Sequence, residues 1–304
     1  MTECYQPELR FSSFSRRKIT ADFTGGDLTS NAGLLLLREC DQHLGLSRSV
    51  AEVVNDPRRP ACVEHSTEQL VRQRLLAIAA GYEDLNDHDQ LRFDTALQVG
   101  SQRLSPLAST ATLCRFEQQQ DRSVAIGLHK VLFDQFVARH KKPPKRLVLD
   151  FDATDIPVYG EQEQRIIGKA EYTRGGPNPR FITTNLEGDG EELYRKLYCA
   201  RGDMENRIKD QQMDLFASRT SCHRWWPNQW RLLLSALAWV LYEYLREQLQ
   251  DTKLGKASVA TLRNRLIKVG AVVIKNTRRF RFLLPTLLPD REIFCKLATR
   301  LVPT

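Results

Sequence analysis

The sequence lacks most of the features by which a function is usually read. Its longest apolar run is about eleven residues, Leu232 to Tyr242, where a membrane-spanning helix needs ~20. The opening stretch, Met1 to Arg10, is polar, and no secretory signal is expected there. The seven cysteines, at positions 4, 40, 62, 114, 199, 222 and 295, are odd in number, and no two have Cys-x-x-Cys spacing. A disulfide scaffold and a zinc ribbon are therefore disfavoured, and the reduced thiols of a cytoplasmic protein are the expectation. Cys222 and His223 are adjacent, which cannot supply the usual Cys₂His₂ spacing. There is no Gly-x-x-x-x-Gly-Lys-Ser/Thr loop, no Gly-x-Gly-x-x-Gly and no Gly-x-Ser-x-Gly elbow. A nucleotidase, a dehydrogenase and a serine hydrolase gain no support.

What is present is an ordinary globular composition, 41% hydrophobic and 27% charged over 304 residues, enough for one large domain or two. The net charge of +8 is unevenly placed. Residues 1–140 carry 16 basic and 18 acidic side chains, whereas residues 251–304 carry 12 basic and 3 acidic. A localised basic stretch points to a polyanion, nucleic acid first. A solvated, solubilising surface is the plainer alternative. A phospholipid surface ranks third, because no amphipathic anchor accompanies the charge.

Residues 1–27 read as an irregular arm containing Arg16, Arg17 and Lys18. Helical patterns follow: one from Asn31 capped by Ser30 or Asn31, one through Val54 capped by Ser47, then Thr67–Ala80, Asp84–Phe93, Pro106–Gln118 and Arg122–His140. The run Lys141-Lys-Pro-Pro-Lys145 breaks the pattern as a linker. Arg146 to Asp152 alternates as a strand, with Leu147, Leu149 and Phe151 on one face and Asp150 and Asp152 on the other. Residues 160–178 are polar and Gly-rich with little pattern, and Arg180 to Asn185 is a second strand. After the turn Gly188-Asp-Gly190 comes a helix, interrupted at Arg201-Gly-Asp203 and resumed through Glu205 and Lys209. Pro227 to Gln250 is the strongest helix. Segments 271–275 and 280–284 make a β-hairpin around Asn276 to Arg279, and Arg291–Leu301 closes as a helix.

Two groups of residues could carry chemistry. Asp150 and Asp152 sit one pleat apart at a strand end, where rigid carboxylates suit a hard divalent cation; a strand terminus that begins a turn is the plainer reading. Tyr198, Arg201 and Glu205 are spaced by three and four, so a helix puts them on one face; an intrahelical Arg–Glu pair is the plainer reading there. Trp225, Trp226 and Trp230 could stack on bases, but at a helix start they read as core.

Seven stretches carry a resemblance. They are Phe23-Thr-Gly-Gly-Asp-Leu-Thr-Ser-Asn-Ala-Gly-Leu-Leu35, Glu83-Asp-Leu-Asn-Asp-His-Asp-Gln-Leu-Arg92, Ser109-Thr-Ala-Thr-Leu-Cys-Arg-Phe-Glu117, Leu149-Asp-Phe-Asp-Ala-Thr-Asp155, Tyr198-Cys-Ala-Arg-Gly-Asp-Met-Glu-Asn-Arg-Ile-Lys209, Ser221-Cys-His-Arg-Trp-Trp-Pro-Asn-Gln-Trp230 and Gly270-Ala-Val-Val-Ile-Lys-Asn-Thr-Arg-Arg279. In these the chain resembles the DDE-type transposases of bacterial insertion sequences, transposase DDE domain group 1. The resemblance implies an RNase H-like core inserted among helices, which cuts and joins DNA with two Mg²⁺ or Mn²⁺ ions held by Asp, Asp and Glu. Carried over, Asp152 matches the first Asp and Glu205 the Glu, both as metal ligands. Tyr198 and Arg201 support Glu205, and Lys209 is the nearest candidate for the signature's downstream Lys. Double-stranded DNA at terminal inverted repeats, self-association and the bacterial cytoplasm are implied; a membrane is not. The basic residues expected to meet DNA are Arg263, Arg265, Lys268, Lys275, Arg278, Arg279 and Arg281, with Arg16, Arg17 and Lys18 as the rival contact.

The chain departs from this pattern in one respect. The second Asp belongs at the end of a central strand, yet Asp155, Asp189 and Asp203 are the only Asp residues between Asp152 and Glu205, and none is in such a strand. The 52 intervening residues are few for the implied strands and helices, which need ~40 before any loop. The resemblance also jumps near Glu161–Arg165. An in-frame internal deletion is inferred. The expected fold is α+β, mostly helical, with an incomplete RNase H-like core flanked by helices. Its regions are a helical 1–140, a core remnant 141–216 with a poorly supported segment at 159–178, and a basic 217–304 of helix and β-hairpin. The expected function is a transposase by descent that has lost catalysis. The alternatives are a non-catalytic DNA-binding protein that interferes with an intact transposase, and a remnant without function.

Overall fold

The computed structural model describes residues 9–140, 142, 165–173, 176–184, 187–198, 201–219 and 222–302, and for 60, 165–184, 197–198 and 201–204 it describes the backbone alone. The fold is mostly helical α+β. The chain divides into two compact units, residues 1–139 with 210–304, and residues 140–209.

The first unit opens with β1 (Leu9–Phe14) and β2 (Arg17–Ala21), an antiparallel hairpin, followed by the short β3 (Asp27–Thr29). Helices α1 (Leu34–Leu44), α2 (Leu46–Val53), α3 (Thr67–Ala79), α4 (His88–Leu91), α5 (Thr95–Gly100), α6 (Thr110–Gln118) and α7 (Arg122–Ala138) follow. The Ser66 hydroxyl accepts from the Gln69 backbone amide while the Gln69 side-chain oxygen accepts from the Ser66 backbone amide, a capping box that starts α3. Asp121 caps α7 through the amides of Ser123 and Val124. Later in the chain, residues 210–214 make a π-helical turn that belongs to this unit.

The longest helix of the unit runs from Trp225 to Glu247, two residues earlier than the expected start at Pro227. Pro227 falls in the helix's first turn, where its missing N–H breaks no intrahelical bond. Trp230, Leu233, Leu234, Leu237, Leu241 and Leu245 bury its inner stripe against α3, α7 and α1, each burial contributing roughly 1.5–3 kcal/mol. The buried Tyr242 hydroxyl donates to the Ala79 carbonyl at 2.7 Å, and burial pushes its pKa up to about 12. After it come the turn Val259–Leu262, a π-turn Arg263–Ile267, the hairpin strands Ala271–Lys275 and Phe280–Leu283, and the closing helix Arg291–Leu301.

The two ends of the chain close this unit together. Thr29 pairs with Ala271 and Asp27 with Val273, so β3 is the third strand of the 271–283 hairpin sheet. The Ala32 amide donates to Val269 O at 2.9 Å and the Gly33 amide to Ile267 O at 3.1 Å. A Cβ on Gly33 would lie 1.8 Å from the Leu266 carbonyl oxygen, so only glycine fits there.

Several local expectations are corrected. The arm at 1–27 contains a hairpin; its alternation (Leu9 and Phe11 opposite Ala21 and Ile19) is short and broken by an irregularity between Phe11 and Phe14, so it carries little periodic signal. Neither Ser30 nor Asn31 caps α1, whose N-cap is Gly33 without a side-chain bond. Asn31 instead accepts from Tyr82 Oη and Lys268 Nζ, both at 3.1 Å. Ser47 lies inside α2, and Asp41 takes the capping role by accepting from the Ser47 amide at 2.8 Å.

The second unit contains β4 (Arg165–Thr173) and β5 (Gly176–Thr184), antiparallel and in register from Arg165 opposite Thr184 to Thr173 opposite Gly176. The expectation that residues 160–178 lack pattern and support is thus corrected for 165–173 and 176–178. Ile166, Ile167, Tyr172 and Thr173 are strand formers, and nine residues on each side pair throughout. Residues 180–184 pair with 165–169; the expected strand 146–152 lies outside the described residues. Asp189 then caps Gly190–Glu192, which runs into a π-helical Leu193–Tyr198. Arg201–Lys209 is a helix, so Arg201-Gly-Asp203 is helical rather than an interruption. One glycine in a helix costs only about 1 kcal/mol, which its neighbours offset.

Candidate catalytic residues and nucleic-acid interface

The carboxylates implied to hold metal are distributed unevenly with respect to the described residues. Asp150, Asp152 and Asp155 lie outside them. Glu205 is in the middle of helix Arg201–Lys209 and exposed. Arg201 and Lys209 stand four residues to either side, so the three positions share one helix face. Tyr198 ends the π-helical turn before that helix, and residues 199–200 between them are outside the described set. Asp189 is occupied as a cap, accepting from the Glu192 amide at 2.9 Å. Among the described residues no group of three His, Cys, Asp or Glu could hold a metal ion.

The motifs at 83–92, 109–117 and 221–230 meet in a different kind of site. Glu117, on α6, accepts from Arg74 Nε at 2.6 Å and from Arg231 Nε at 2.9 Å. Arg74 also reaches the Glu83 carbonyl at 3.2 Å and His88 Nε2 at 3.3 Å. On its other side His88 meets Gln73 at 2.9 Å, and Gln73 makes two bonds to the backbone of Ala108. Arg74, Glu117 and His88 are all essentially excluded from solvent. Burial, then the neighbouring Arg74, holds the His88 pKa down to about 3, so the ring is neutral. The polar arms of this network are spent on other helices and on the loops that contain Glu83 and Ala108. It fixes α3, α6 and the helix from Trp225 relative to one another, and Trp230 packs edge-on against Phe116 at 5.6 Å. That agrees with a core role for Trp230, while Trp225 is exposed. Cys222 and Asn228 exchange two hydrogen bonds at the helix start, and His223 is an exposed residue beside it.

Sequence reasoning missed Arg74, Gln73, His88 and Arg231 as a cluster. Helix α3 reads as amphipathic, yet it is buried all round from Leu70 to Ala79. The legible signal is the density of polar residues inside otherwise apolar helical segments, which must be paired if buried.

The basic residues divide by environment. Arg263 is half-buried: its guanidinium donates to Ala79 O at 3.0 Å and to Asp214 O, and lies 5.8 Å over the Phe216 ring. Lys268 is likewise engaged, 3.5 Å from the Tyr82 ring centroid and bonded to Asn31. Arg265 pairs with the buried Asp290 at 3.4 Å, and Lys275 with Asp27 at 3.0 Å across the sheet. Arg278 and Arg279 sit in the hairpin turn, their backbone amides held by Asn276 Oδ1. Their side chains and that of Arg281 are exposed and make no ion pair or hydrogen bond with any described residue. Arg16, in the β1–β2 turn, and Arg17 and Lys18, on β2, are in the same state. The seven-residue basic segment is therefore two sets: Arg263, Arg265, Lys268 and Lys275, which serve the fold, and Arg278, Arg279 and Arg281, which face solvent.

Among the described residues no helix is long and apolar enough to cross a membrane. The sequence profile of the transposase DDE domain group 1 family matches residues 11–166 and 162–304. No curated protein and no solved structure matches the chain.

Proposed function

The chain belongs to the transposase DDE domain group 1 family, and from that premise we propose that it binds DNA ends but has lost strand cleavage through an internal deletion of its catalytic core. The observation that carries the proposal is the pair of matched stretches, which meet and overlap at residues 162–166. That is where the family-like sequence jumps from the neighbourhood of the first carboxylate to that of the last. Space argues the same way. Between Asp152 and Glu205, residues 165–173 and 176–184 are a hairpin, and 190–198 and 201–204 are helical turns. The longest stretch left is 153–164. Twelve residues cannot supply a central strand and two helices, about 28 residues at average lengths.

The family works with divalent metal ions, which in a two-ion centre clamp the attacking and leaving oxygens. Glu205 is the one implied ligand among the described residues, and no group of three His, Cys, Asp or Glu there could hold such a centre. Tyr198 and Arg201 are proposed as its former supports and Asp152 as its former partner. What the chain retains is the means to hold a phosphate backbone: Arg278, Arg279, Arg281, Arg16, Arg17 and Lys18 project uncompensated positive charge, and each phosphate they neutralise releases counterions. Arg265 and Lys275 are exposed enough to join them at the edges. A protein of this kind, in the bacterial cytoplasm, would occupy the ends that an intact transposase needs. The uncompensated cations favour this over a remnant without function.

The test is cleavage and strand transfer on terminal-repeat duplexes with Mg²⁺ or Mn²⁺. No product is expected at any metal concentration. Metal-dependent cleavage that disappears in Asp152→Ala would overturn the deletion proposal, and absence of any salt-dependent DNA binding would leave the remnant reading.

A further inference from the structure

The β1–β2 hairpin has a surface that the fold of unit 1 does not use. Every residue from Leu9 to Leu28 is exposed. The register puts Leu9, Phe11, Ile19 and Ala21 on one face and Arg10, Lys18 and Thr20 on the other. At the tip Phe14 stands opposite Arg17, 75% exposed, next to Ser15 in a left-handed conformation (φ 56°) and the unpaired Arg16. An isolated two-stranded ribbon is marginal in water, and a solvent-facing aromatic tip contributes nothing to holding it. The tip's side chains are instead those of a ligand contact: one apolar wedge and three cations without partners.

We propose that this ribbon is a DNA-deforming arm, with Phe14 inserted against a base step from the minor groove and Arg16, Arg17 and Lys18 on the flanking phosphates. The inference rests on the DNA-binding reading above and adds to it which element touches DNA and what that contact does. Apolar wedges at such steps partly unstack them and kink the duplex, and the neighbouring cations gain phosphates as the DNA wraps. Pyrimidine–purine steps, the most easily unstacked, are the preferred target. A second copy of this chain is a poorer occupant for the arm's cations, because each copy carries a net charge of +8 and like charges repel.

The experiment uses the full chain and a duplex of about 30 base pairs carrying 2-aminopurine beside TpA steps. Saturating protein should raise the fluorescence several-fold. Phe14→Ala should remove that rise at saturation, and Phe14→Leu, which keeps an apolar wedge, should retain part of it. Arg16→Ala, Arg17→Ala and Lys18→Ala should each reduce the slope of log K against log salt by about 0.9 and leave the saturated signal in place. Because these side chains are exposed, unchanged circular dichroism should confirm that the variants fold. Salt-dependent binding without a fluorescence rise, or a rise that survives in Phe14→Ala, overturns this inference and leaves the DNA-binding reading standing. No binding to any duplex at low salt overturns both. Binding to anionic vesicles that depends on Phe14, with no Phe14-dependent DNA signal, would assign the arm to a membrane instead and overturn the inference as well.

Discussion

The unit formed by residues 1–139 and 210–304 and the unit at 140–209 carry family signatures of opposite kinds. In the first, signature residues such as His88 and Glu117 are buried and joined by hydrogen bonds through Arg74. They hold helices together and touch nothing that could react. In the second, the signature carboxylate Glu205 is exposed on a short helix. It has meaning only beside other carboxylates. A family likeness therefore joins two independent properties, a helical body that folds and a centre that reacts. The loss proposed for the middle of one would leave the other thermodynamically intact.

The comparison breaks if the buried network proves dispensable. Glu117→Ala leaves Arg74 and Arg231 without their carboxylate in a dry site, and a loss of about 3–5 kcal/mol is expected from urea melts. Hydrogen exchange of the 165–184 hairpin should be unaffected. A loss under 1 kcal/mol would mean that the network is not what orders the helices.

A smaller effect comes from pH. His88 is neutral in the folded chain down to about pH 3, whereas its unfolded value is near 6.5. Between these values the unfolded chain binds a proton that the folded chain does not. Stability therefore rises with pH through this window, is complete above about 6.5, and falls as the solution is acidified, by at most about 1.4 kcal/mol per pH unit. In His88→Gln the dependence of melting on pH should be shallower by up to that slope between pH 6.5 and 4; an identical slope would show that the ring titrates normally.

Ser66→Ala removes half of the α3 capping box and should lower stability by about 1 kcal/mol, measured by the same melts. The smallest change sharpens the contrast from the other side. Glu205→Gln, on the exposed helix face, should alter stability by less than about 0.5 kcal/mol. A large loss would make Glu205 a structural residue and count against its proposed role as a former ligand.

Much of the helical body was legible because its helices announce themselves by apolar spacing, as in the Trp225–Glu247 stripe; the caps Asp121 before α7 and Ser66 with Gln69 before α3 went unread. The 271–283 hairpin was legible from two apolar runs around Asn276 to Arg279. The strands at 9–21 and 165–173 were not. Two-residue periodicity over five to nine residues is weak, and Gly168 and Lys169 interrupt it in the second case. The caps assigned to Asn31 and Ser47 failed because a residue 51 or more positions away can claim the same side chain, as Tyr82 does for Asn31, and because Asp41 reaches the start of α2 from the preceding helix. The basic segment was legible as charge but not as two populations. An arginine such as Arg263 packs its stem on Gly81 and its head on Phe216, and nothing in a run of basic residues marks which member will do so.

The sheet that closes the helical body has a consequence for how the chain is made. Strand Asp27–Thr29 pairs with Ala271–Val273, and Gly33 seats against the backbone of Leu266 and Ile267. Those partners emerge from the ribosome roughly 240 residues later, about 12–50 s at ordinary synthesis rates. Through that interval helix α1 has neither the long Trp225–Glu247 helix nor the closing Arg291–Leu301 helix to cover its apolar face. The N-terminal half is an obligate waiting state on the ribosome, and any message that stops short of residue 273 delivers a body that cannot shut and is left to chaperones and proteases.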